Sequence, residues 1–155
     1  MFAVLALALL VTTACPPPPS PPTPPPSLSP AGGFGANCGG QSATLTLNAG
    51  QTGSFQVMCT NTGTIAWTRG TPTEASLVPC CPVGGSAPFP GWASNSARYP
   101  QSASAVTPSS IGTFSFNITV PSGIPSGTYT SYGALVNASN QPISAQVLIF
   151  TVSVP

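Results

Sequence analysis

A strict two-residue alternation constrains the fold of this chain more than any other feature. Phe114, Phe116, Ile118 and Val120 are interleaved with Thr113, Ser115, Asn117 and Thr119. Successive side chains of an extended backbone point to opposite faces, so this run has one apolar and one polar face, as in a half-buried antiparallel strand. β character holds from Gln41 onward, with further strands expected at Ala43–Leu47, Ser54–Asn61, Ile65–Thr68, Thr128–Val136 and Ser144–Val154. In the last of these, Leu148, Phe150, Val152 and Val154 are expected to face inward. Turn chemistry punctuates the runs at Asn48-Ala49-Gly50, Asn61-Thr62-Gly63, Pro121-Ser122-Gly123 and Pro125-Ser126-Gly127. No stretch keeps a helical period. Short strands with Gly/Pro turns predict an all-β fold, a sandwich of two antiparallel sheets.

Charge limits the chemistry. The 155 residues include two arginines and one glutamate, Arg69, Arg98 and Glu74, and no histidine, aspartate or lysine. General acid–base catalysis needs groups that exchange protons near the working pH. Metal sites need carboxylates, imidazoles or thiolates. The composition therefore points away from an enzyme, and no cofactor or metal is expected. A net charge of +1 leaves no electrostatic footprint for nucleic acid. The apolar fraction, 41%, suffices for a packed core and argues against disorder. Near-neutrality also weakens the repulsion that keeps copies apart. The three charges are expected to form at most a surface pair, contributing about 0–1 kcal/mol.

The N-terminus reads as an export signal. Phe2 to Val11 is an uninterrupted apolar run, too short to span a bilayer and suited to the core of a secretory signal, residues 1–14. Thr12-Thr13-Ala14 then precede Cys15, an arrangement that resembles the lipobox of bacterial lipoproteins, with Thr12 where an aliphatic residue is usual. That resemblance implies lipidation of Cys15 and a membrane anchor; without it the chain is secreted and free. Pro16 to Pro30 reads PPPPSPPTPPPSLSP, which favours a polyproline II rod of roughly 45 Å. Residues 15–40 are thus expected to be a lipidated, Pro/Gly-rich stalk beneath a domain at 41–155.

Two motifs carry a family resemblance. Asn61-Thr62-Gly63-Thr64 followed by Trp67 matches the "N-T-G-T-x-x-W" corner between second and third strands. Val120-Pro121 with Ser126-Gly127-Thr128-Tyr129 matches the entry to the sixth strand. Together they resemble the four-tryptophan (FW) Ig-like domain of autophagy cargo receptors and bacterial secreted relatives, over roughly Leu45 to Val154. The resemblance implies an Ig-like sandwich of about seven strands acting as a binding or scaffold module. Trp67 is expected in the core and Tyr129 as a corner residue whose hydroxyl bonds nearby backbone. Only Trp67 and Trp92 remain of the four tryptophans, and Gly133 stands where the family usually has a bulky aromatic.

Four cysteines besides Cys15 imply disulfides in an exported chain. Adjacent Cys80 and Cys81 pair poorly with each other, so each is expected to reach separately to Cys38 or Cys59, in either order. A four-thiolate metal site lacks C-x-x-C spacing. Between Pro82 and Pro100 lie Phe89, Trp92, Arg98 and Tyr99. They could form a platform for a sugar or a protein, or fold back to cap an open edge of the core; the capping reading is preferred. Asn117-Ile118-Thr119 and Asn137-Ala138-Ser139 fit the N-glycosylation pattern, which carries little meaning in a bacterial lipoprotein.

The functional expectation is a non-catalytic, extracytoplasmic lipoprotein that adheres to or recognises protein or glycan. The alternative is a structural subunit of a surface layer or filament, packing its uncharged faces against copies of itself.

Overall fold

The computed structural model describes residues 30, 32–41, 44–79 and 97–155. Ten strands occur among them: β1 (Ala36–Gln41), β2 (Leu45–Thr46), β3 (Thr52–Asn61), β4 (Trp67–Thr68), β5 (Ser76–Pro79), β6 (Tyr99–Pro100), β7 (Ala105–Val106), β8 (Ile111–Thr119), β9 (Gly127–Val136) and β10 (Leu148–Val154). One sheet has the order β1-β3-β8 and the other β2-β10-β9-β5-β6, with β4 and β7 forming a separate pair. The first edge is divided between sheets: β1 runs antiparallel to β3, whereas β2 runs parallel to β10. This strand order, with the leading segment switching sheets, is that of an Ig-like sandwich.

The alternating residues supply the core. Phe114, Phe116, Ile118 and Val120 are buried, as are Phe55 and Val57 opposite them on β3. From the facing sheet come Leu77, Leu135, Leu148, Phe150, Val152 and Val154. The rings of Phe55, Phe116 and Phe150 meet at the centre, with centroids 5.4, 5.2 and 5.0 Å apart. Burying each such ring contributes about 1.5–3 kcal/mol. Gly133 is part of the same fit, because a Cβ there would lie 3.0 Å from both Leu77 Cδ1 and Phe150 Cε2. Phe150 occupies the space that an aromatic at position 133 would need.

Three expectations are corrected. The folded unit begins before residue 41, since β1 pairs with β3 and Phe34 packs on the core. Its Gly-rich sequence shows no alternation, and long-range pairing makes it a strand. Trp67 is buried as expected, but on the short β4 rather than on the third strand of a main sheet; that place is taken by β5. The cysteine pairing also differs. Cys38 and Cys59 stand directly opposite across β1 and β3 and bond to each other, so neither reaches Cys80 or Cys81, which lie outside the described residues.

Candidate functional site

Asn61 shows why the corner motif has its sequence. Its side chain is fully buried, donating to the carbonyls of Ile65 (2.9 Å) and Val106 (3.0 Å) and accepting from the Gly63 amide (3.1 Å). A buried amide costs little only when its polar atoms are paired. Gly63 is required by close approach, as a Cβ there would sit 2.5 Å from the Gly33 carbonyl oxygen. Tyr129 acts as the corner residue, its hydroxyl donating to the Pro125 carbonyl at 2.7 Å. Both motifs are structural.

Arg98 and Tyr99 are likewise used by the fold. Arg98 donates through one guanidinium nitrogen to Asn140 Oδ1 and through the other to the Asn137 carbonyl (2.9 Å), tying β6 to the turn after β9. Tyr99 packs at a tilt against Phe116 with centroids 5.0 Å apart, and burial raises the pKa of its phenol. This is the capping arrangement. Phe89 and Trp92 lie outside the described residues, as do Cys15, the export signal and all of the proline segment except Pro30. Glu74 accepts from the Gly70 amide (2.8 Å) and the Ser76 hydroxyl (3.1 Å), so Glu74 and Arg98 have separate partners in place of the expected charge pair. Among the described residues no group of three or more metal-ligating side chains occurs, and the disulfide uses two of the thiols a four-thiolate site would need.

Among the described residues, the outward face of β3 and β8 is an uncharged surface. Its rows are Thr52–Thr119, Ser54–Asn117, Gln56–Ser115, Met58–Thr113 and Thr60–Ile111. None of these side chains is charged. The Thr52 and Thr119 hydroxyls bond each other at 2.8 Å. Met58 (46% exposed) and Ile111 (63% exposed) are diagonal neighbours, forming an apolar spot beside Thr60 and Thr113. The opposite sheet is similar at one end, with a row of Thr46, Ser153 and Thr128 beside a row of Thr151 and Thr130. The sequence displays these polar positions openly, but periodicity alone assigns them only to solvent. Of the two N-glycosylation patterns, Asn117 is exposed, whereas Asn137 is buried and bonded to Ser139 and Gln141.

Three of the four sheet edges are guarded; the fourth is the nine-residue β8. β1 carries a bulge between Cys38 and Gly40, and its Cys38 amide donates to Gln146 Oε1 at 2.7 Å. β2 and β6 are two residues long, and β6 ends in Pro100. Bulges, short strands and proline all discourage addition of a further strand.

No protein-family model matches the chain, and no curated protein matches it. Solved structures do show similarity. The CARDB domain of PF1109 from Pyrococcus furiosus aligns at 15% identity and a TM-score of 0.44, covering 79% of this chain and 94% of that one. A family 123 glycoside hydrolase from Clostridium perfringens aligns at 12% identity and 0.45, but the match covers 79% of this chain and only 27% of the hydrolase. The ASH/PapD-like domain 7 of human CEP192 aligns at 14% and 0.45, covering 99% of this chain and 98% of that one.

Proposed function

We propose that the chain is a non-catalytic recognition or adhesion module, akin to the four-tryptophan Ig-like domains, displayed outside the cytoplasm on a proline stalk. In this reading Cys15 carries the lipid that anchors it, and a protein or glycan is its ligand. The observation that carries the proposal is the division of labour among side chains. Glu74 and Arg98 are spent on internal hydrogen bonds, while the broad outward face of β3 and β8 holds only neutral groups on a rigid, paired backbone. Such a surface offers shape and hydrogen bonds to a partner and no group suited to move a proton.

Self-assembly draws support from the neutral faces on both sheets. The bulge and the Gln146 contact at β1 weigh against strand addition at that edge, and the longer β8 is the other edge of the same sheet.

Two measurements test the proposal. The mass of the mature N-terminus is expected to show a diacyl- or triacyl-modified Cys15; an unmodified Cys15, or retention of Met1, removes the anchor. Protein and glycan arrays probed with the mature chain are expected to retain it on a defined subset of ligands. Sedimentation as large, concentration-dependent assemblies with no array retention would favour the structural subunit instead.

A further inference from the structure

We infer that the outward face of β3 and β8 docks an insoluble, neutral polysaccharide. The inference rests on the recognition reading above and names the partner's chemistry. Five rows about 6.8 Å apart on strands about 4.8 Å apart make a strip roughly 27 Å long. Across it, Thr60, Thr113 and Ser115 present hydroxyls and Asn117 an amide, flanked by the Thr52 and Thr119 hydroxyls, which bond each other at 2.8 Å. Hydroxyls both donate and accept, as do the hydroxyls of a sugar polymer. Met58 and Ile111 supply an exposed apolar spot against which the C–H face of a sugar ring can rest.

Charge and area select this occupant over others. A nucleic acid or acidic glycan would find no cation on the strip. A typical protein surface would bury its charges there without a counter-charge. A second copy of the same face is disfavoured by size: the strip covers about 330 Å², and a stable protein pair buries about 800 Å² on each partner. A polysaccharide chain is itself a narrow strip, and an insoluble array of such chains lets many weak contacts add. The face is also prearranged. β-branched threonines on paired strands lose little rotamer freedom on binding.

Co-sedimentation of the mature chain with microcrystalline cellulose and with chitin tests this. The wild type is expected in the pellet, with binding unchanged up to about 1 M salt because no ion pairs are involved. Ser115→Lys and Met58→Lys are expected to lower the bound fraction about fivefold or more. Thr130→Lys, on the opposite sheet, is expected to bind as the wild type does. Near-ultraviolet circular dichroism of each variant verifies its fold, and Met58→Ser keeps the face neutral should a lysine disturb packing. Failure of the wild type to bind either solid would overturn the inference, while retention on the arrays would leave the recognition reading intact. Equal loss in Thr130→Lys, or release by salt, would overturn it too. So would self-association of the wild type that Ser115→Lys abolishes, which would show that the face pairs copies.

Discussion

The indole of Trp67 lies against Gly112 so closely that a Cβ at position 112 would stand 3.0 Å from its Cζ3 atom. Trp67 is fully buried, tilted against Phe114 with centroids 6.0 Å apart, and its strand pairs with Val106. The single glycine lets the short β4–β7 pair close over the β3–β8 sheet. Gly112→Ala is expected to push the indole outward and cost about 1–3 kcal/mol. Urea unfolding checks this, with tryptophan emission shifting to longer wavelength in the native variant. An unchanged midpoint would show that the indole yields without cost.

Asn61 is expected to be among the polar residues most sensitive to change. Asn61→Ala removes two donated bonds and one accepted bond and leaves the Ile65 and Val106 carbonyls without that partner. A loss of about 2–4 kcal/mol follows from one to two stranded buried groups. Thermal unfolding measures it, with Asn48→Ala at an exposed turn as the comparison that should move little.

Reduction of the disulfide is expected to loosen the first strand before the rest. The bridge spans 21 residues of sequence, and removing it costs about 2–4 kcal/mol. The Cys38→Ala/Cys59→Ala double variant should therefore unfold at lower urea. Native-state hydrogen exchange should rise first in β1 and leave the β9 and β10 amides protected. Uniform acceleration across all strands would refute a local role.

The pH profile of stability is expected to be flat in acid. Acid unfolding mainly reflects carboxylates and histidines whose pairing is lost, and Glu74 is the sole acidic side chain in a chain without histidine. Between pH 7 and pH 3 stability should therefore change little, as followed by urea unfolding across that range. The alkaline side differs. Burial raises the pKa of Tyr99 above the ordinary phenol value of 10.0, so the folded state holds that proton more tightly than the unfolded one. Stability is then complete below about pH 10 and falls as pH rises through the folded-state pKa. Tyr99→Phe should remove that part of the alkaline fall.

Much of the framework was legible from residues close in sequence. β3, β8, β9 and β10 fall where alternation or β-rich runs placed them, and the inward set on β10 is as expected. The corner chemistry of Tyr129 was equally readable, because its partner Pro125 is four residues away. β1 and β5 were not legible. β1 is Gly-rich, and β5, Ser76–Pro79, is only four residues long, too short to display a period. β6 and β7 have two residues each and exist through their pairing, whereas the equally short β2 and β4 lie within the runs expected at Ala43–Leu47 and Ile65–Thr68.

The amino-acid order by itself determined which side chains of the long strands face the core, because the two-residue repeat of an extended chain is a local property. It also determined the scarcity of proton-transferring groups, which is composition alone. Tertiary structure decided that Cys38 meets Cys59, that Phe150 fills the space beside Gly133, and that Arg98 reaches Asn137 and Asn140. It also assembled two separate polar half-patterns, on β3 and β8, into one continuous neutral face. These relationships join residues 17 to 67 positions apart. They depend on strand register across the sandwich, which no local repeat encodes.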